Sequence, residues 1–137
     1  MVHALHSVKK ILKSGGYLLD VHDLPVPHLI EVEQGNCLVK VGWLLEKRDF
    51  IDERSGFNAL VQVVDEGLFT LEDEQDFTFN IYIDRLDDFY KWLADFWESA
   101  FLPERTLHKI EELMAKGGRS ARIVVKTPTR MTKLRVV

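Results

Sequence analysis

The sequence predicts an α/β or α+β fold, a mixed and partly parallel sheet with helices packed on it. Three observations carry this expectation. Apolar residues recur at helical spacing in four segments that begin near residues 2, 49, 84 and 103. Residues 75–84, QDFTFNIYID, alternate apolar and polar side chains with the two-residue period of a strand. Tyr17, Leu18, Leu19 and Val21 give a short run that is apolar toward both faces, the pattern of a strand covered on both sides within a parallel sheet.

Taken in order, residues 2–13 form an amphipathic helix on Leu5, Val8 and Leu12, with Lys9, Lys10 and Lys13 where cations suit the helix dipole. Gly15 and Gly16 stop it. The strand at 17–21 follows and ends at His22, Asp23, Pro25 and Pro27. Residues 29–33 and 37–41 pair as a hairpin around Gln34-Gly35-Asn36, because Gly and Asn tolerate positive φ. This hairpin, about 29–42, reads as an insertion beside the main sheet. A helix runs from about 49 to 66 on Phe57, Leu60, Val61 and Val64, and Gly67 ends it. After the strand at 75–84, Asp84 caps a helix bearing Leu86, Phe89, Tyr90, Leu93, Phe96 and Trp97. Pro103 opens the last helix, striped by Leu107, Ile110, Leu113 and Met114. Residues 121–126 and 131–137 read as two strands around Thr127-Pro128-Thr129.

At 137 residues the chain is expected to be one domain, long enough to bury a core. No apolar run approaches the roughly 18 to 20 residues that span a bilayer, and the N-terminus MVHALHSVKK has no apolar signal core. Cys37 is the sole cysteine, so no internal disulfide and no thiolate zinc cluster can form, which fits a reducing cytoplasm. The net charge of −4 is unevenly spread. Residues 46–98 hold 15 acids against 5 Lys or Arg, and residues 104–137 hold 3 acids against 9. The basic end is expected to pack beside the acidic middle, within the fold or across a dimer. No RNP-like, helix-turn-helix or zinc-finger pattern points to nucleic acid.

His22 and Asp23 stand at the end of a strand expected to be parallel, the edge where open α/β sheets bind ligands. They serve either as a substrate-side pair or as a polar strand end. Trp43, Trp92 and Trp97, with Phe89, Tyr90, Phe96 and Phe101, line a pocket or build core and interface. Arg130, between two threonines, offers an anion contact or a turn charge. His3 and His6 lack a third ligand, so no metal site is expected. Glu72, Asp73, Glu74 and Asp76 read as a solvated turn without the spacing of a calcium loop.

ALHSVKKILKSGGYLLDV resembles the helix, Lys-x-Gly-Gly and strand segment of class I S-adenosylmethionine-dependent methyltransferases. FTFNIYIDRLDDFYKWLADFW, SAFLPERTLHKIEELMAKGG and RIVVKTPTRMTKLR resemble the tail of a bacterial branch of that family. The resemblance implies the rear half of a Rossmann-like methyltransferase fold, with the cofactor-binding N-terminal half missing. No Gly-x-Gly-x-Gly is present, and both glycine pairs follow helices rather than strands. S-adenosylmethionine would then bind only if another chain completed the site. The expected function is a methyltransferase-derived binding or assembly module, or half of a split enzyme. The alternatives are an active methyltransferase on a small acceptor and a cystatin-like α+β small-ligand pocket protein. The resemblance puts His22 and Asp23 near the acceptor substrate, and with Trp43, Trp97 and Arg130 they are the candidate substrate-binding residues. The implied partner is a second copy, through an exposed sheet edge, or a separate chain carrying the cofactor half.

Overall fold

The computed structural model describes residues 1–96 and 99–137. Four helices, α1 (Val2–Ile11), α2 (Ile51–Asp65), α3 (Leu86–Phe96) and α4 (Glu104–Gly117), accompany six strands. The strands are β1 (Tyr17–Asp23), β2 (His28–Gln34), β3 (Cys37–Glu46), β4 (Phe69–Ile83), β5 (Ala100–Phe101) and β6 (Ala121–Val136). They pair in the order β1-β6-β2-β3-β5, and β4 also pairs with β6. The sheet is antiparallel, so the expected partly parallel, Rossmann-like arrangement does not occur. Strand β1 lies antiparallel to β6, with Leu18 opposite Leu134 and His22 opposite Arg130. Its apolar run on both faces signalled burial, yet only one face is covered.

The hairpin at Gln34–Cys37 forms as expected, but it is no insertion. Strand β2 pairs with both β3 and β6 and buries His28, Ile30 and Val32 in alternation. The C-terminal residues read as two strands form one strand of 16 residues. Pro128 is tolerated because β6 pairs with β2 as far as Lys126 and with β1 from Thr129, so no ladder bond is missing on that side. In β3, Gly42 faces Ile30 while Lys40 faces Glu31, so Val41 is an extra residue in a β-bulge.

The chain folds into two compact units. The first comprises Met1–Pro25, Phe50–Phe77 and Pro128–Val137; the second comprises Val26–Asp49 and Thr78–Thr127. In the first, Leu5 of α1 and Ala59, Leu60 and Val63 of α2 pack with Phe69, Leu134 and Val136. In the second, Ile30, Val32, Leu44, Phe89, Ile110, Ile123 and Val125 build the core, to which α3 and α4 contribute their apolar stripes. Val124 is buried on the opposite face of β6. The neighbouring cross-strand pairs on that strand, Arg122–Glu33 and Lys126–Glu31, lie on its own face. Their aliphatic stems can shield Val124 while the charged ends stay wet.

The acidic run expected to be a solvated turn is the first half of β4. Its carboxylates meet the basic end of the chain within the first unit. Asp76 pairs with Arg130, and Glu72 lies 2.7 Å from Arg135 and 3.7 Å from Lys133. No helix among the described residues is long and apolar enough to cross a membrane.

Candidate functional site

The carboxyl end of β1 and the adjoining part of β6 bring together three residues singled out in the sequence. His22 and Arg130 are register partners, so their side chains share one face of the first unit's sheet. Phe57 of α2 covers both. Its ring centroid is 5.9 Å from that of His22, and the Arg130 guanidinium carbon lies 5.8 Å from it. Arg130 grips Asp76 through two parallel bonds, Nε to Oδ1 at 2.6 Å and Nη2 to Oδ2 at 2.9 Å. This fork raises the Arg130 pKa and lowers that of Asp76. Glu74 adds a second carboxylate 3.9 Å from Nη1. Arg130 is therefore a guanidinium already neutralised by two acids.

His22 is fixed from two sides. Its Nδ1 bonds to the Asp20 carboxylate. The other side of the ring lies beneath Gly56, where an added Cβ would stand 2.9 Å from Nε2 and 3.0 Å from Cδ2. Glycine at position 56 thus lets α2 settle on the imidazole. Gly56→Ala is expected to destabilise the protein by roughly 1–3 kcal/mol, because ring and helix must separate. Urea unfolding of the variant checks this, and wild-type stability would show that the contact yields freely. Asp23 accepts a 3.3 Å hydrogen bond from Thr129 Oγ1. Burial raises its pKa, and the Thr129 bond and the nearby His22 offset part of that rise.

Beside this cluster a groove of about 420 Å³ opens between α2 and the sheet. Phe57, Leu60, Val61 and Val64 form one wall, and Leu71 and Leu134 form the other, with Glu74 and Arg130 at its margin. Sequence reading placed Phe57, Leu60, Val61 and Val64 on one helix face but did not pair them with Leu71. The missed signal was the spacing of Glu72, Glu74 and Asp76, every second residue, which is a strand's period rather than a turn's.

Trp43 belongs to the second unit and lines a different groove, with Lys40 and Gly42 of β3 and Arg105, Thr106 and Lys109 of α4. Trp97 lies outside the described residues. The remaining aromatic residues of that unit divide by role. Phe89 is buried and stacks on Trp92 at 6.1 Å, while Tyr90 points outward and its hydroxyl donates to Glu111. That bond pushes the Tyr90 pKa up to about 12. His6 reaches Glu66 at 2.8 Å. Among the described residues no group of three or more His, Cys, Asp and Glu is placed to hold a metal ion.

A donor site of the methyltransferase kind needs a glycine-rich turn after a strand, at a point where a parallel sheet reverses its order. Among the described residues the paired strands run antiparallel and offer no such reversal of parallel strands. No protein-family model matches this chain, and no curated protein and no solved structure matches it.

Proposed function

We propose that this chain is a binding and assembly module, methyltransferase-derived and without its own donor site, that pairs with a second copy of itself through β1. The observation that carries the reading is one face of that strand. Tyr17, Leu19 and Val21 are 51%, 59% and 58% exposed, on a strand whose only partner among the described residues is β6. Burying such a side chain fully is worth about 1.5–3 kcal/mol.

Strand β1 is less charged than β4, which carries Glu72, Asp73, Glu74 and Asp76, of which Glu72, Glu74 and Asp76 are held in ion pairs with Arg130, Lys133 and Arg135 of β6. On the exposed face of β1, Tyr17, Leu19 and Val21 are uncharged, and Asp23 stands at the far end, bonded to Thr129. On the neighbouring strand, Lys133 lies 4.2 Å from the Tyr17 ring centroid. An antiparallel two-fold pairing centred on Leu19 sets Tyr17 opposite Val21 and Leu19 opposite its own copy, a self-complementary contact. A cytoplasmic setting fits the lone, exposed Cys37.

Light scattering on the eluting peak of a gel-filtration column tests the reading. At low micromolar concentration the wild-type chain is expected to run at twice its 15.9 kDa mass. Leu19→Lys is expected to run as a monomer. A monomeric wild type would overturn the self-pairing. In that case the same open edge favours the split-enzyme reading, in which a separate chain carries the half that binds S-adenosylmethionine. The apolar groove beside α2 is the feature that favours a small-ligand pocket protein instead.

A further inference from the structure

We propose that the groove between α2 and the sheet of the first unit is a binding site for a hydrophobic amine, an apolar ring or branched body carrying an ammonium. The inference does not rest on self-pairing through β1. Leu18 and Leu134 face each other on the covered side of the sheet, where the groove lies, whereas Leu19 stands on the open side. The groove of about 420 Å³ is within the size of small-molecule sites.

Its walls converge from three elements. On α2, Leu60 packs with Leu134 of β6, and Phe57 and Val64 pack on the same cluster. On β4, Leu71 stands two residues beyond Phe69, a buried member of that cluster, and so takes the same side of the strand. Val61 and Leu71 line opposite walls and remain 59% and 46% exposed, so each wall keeps apolar surface in water. A bound apolar body would remove that surface from water.

The margin of the groove chooses the sign of the ligand. Arg130 is the cation among the lining residues, and Asp65 and Glu74 are the acids. Arg130 is already forked to Asp76 and has Glu74 3.9 Å from Nη1, so it offers little to an incoming anion. Thr132, buried beside Arg130 on the same side of β6, donates a 3.5 Å hydrogen bond to Glu74, which places that carboxylate toward α2. Asp65 has no ion-pair partner among the described residues. It closes α2, whose last turn holds no basic residue, so its carboxylate stands at the negative end of the helix dipole. Both features favour a cation. The apolar body would lie between Phe57, Val61 and Leu71, and the ammonium would meet the carboxylates at the margin.

Tryptamine is the probe, titrated by calorimetry against the full chain near neutral pH, with indole-3-propionate as its anionic counterpart. Tryptamine is expected to bind with Kd below about 1 mM, and indole-3-propionate at least about tenfold more weakly. Val61→Lys sets a cation on one wall from an exposed position and should weaken the amine about tenfold or more. The double variant Asp65→Asn, Glu74→Gln should bring the two affinities within about threefold of each other. Glu104→Gln, an exposed acid on α4 outside the groove, should leave both unchanged. Circular dichroism confirms that each variant is folded. Leu19→Lys should bind the amine as the wild type does, so self-pairing and this site succeed or fail separately. Absence of amine binding, indole-3-propionate binding as tightly, or wild-type affinity in Val61→Lys would overturn the proposal.

Discussion

Acidification from pH 6.5 to pH 4 is expected to remove about 3 kcal/mol of stability through His28 alone, since its pKa drops from 6.5 unfolded to about 4 folded. The side chain is 1% exposed, and its Nδ1 bonds to Thr127 Oγ1 at 2.9 Å. Burial disfavours the charged imidazolium, which is the cause of the lowered value. The sign follows from proton counts. Above pH 6.5 neither state holds the extra proton, and the stability is fully present. Between 6.5 and 4 only the unfolded chain binds it, so stability falls as the pH falls. Below 4 both states are protonated and the loss is complete. Urea midpoints at intervals from pH 8 to pH 4 measure the slope. In His28→Gln that part of the slope should vanish, although the variant starts from lower stability. Asp23 contributes with the opposite sign, because its raised pKa favours folding at low pH. It is present in both proteins and cancels in their difference. Parallel curves for the two proteins would refute the assignment to His28.

His28 also shows what the sequence allowed a reader to see. As one residue among five histidines it carries no local signal. Its burial comes from β2 lying between β3 and β6, and the partner in the second pairing is about 90 residues away in the chain. Local patterns announced the four helices and the hairpin, because amphipathic spacing and a Gly-Asn turn are properties of a few adjacent residues. Strand partners are different. The period of residues 17–21 fitted a doubly covered strand, but nothing local states that the partner is β6 or that it runs antiparallel. The same blindness divided β6 in two at Pro128, where a change of partner spares the missing N–H.

The candidate residues separate along the same line. His22 and Asp23 were chosen together as a strand end and Arg130 separately as an anion contact, and the register of β1 on β6 sets Arg130 opposite His22. The pairing of β4 with β6 brings in Asp76, which turns Arg130 from a free anion contact into half of a bidentate pair. Trp43 was grouped with the other aromatics by composition alone. The bulge at Val41, visible only in the pairing of β2 with β3, gives it Lys40 as a neighbour.

Leucine truncation on adjacent strands provides the sharpest test of which sheet face is unfinished. Leu134 of β6 is 0% exposed and packs with Leu60, Val63 and Phe69, so Leu134→Ala should cost about 2–5 kcal/mol at any protein concentration. Leu19 of β1, opposite Lys133, is the same residue type on the open face. In a solitary copy Leu19→Ala should change stability by no more than about 0.5 kcal/mol, as exposed positions do. If a second copy covers that face, the loss should grow with protein concentration, because the wild type gains stability from association while the variant does not. Urea unfolding at two concentrations about a hundredfold apart separates the cases, since mass action then shifts a dimer by about 2.7 kcal/mol. A large cost for Leu19→Ala that ignores concentration would mean the face is covered by its own chain. A small cost at both concentrations would leave β1 an ordinary solvent edge, and the module would have to assemble elsewhere.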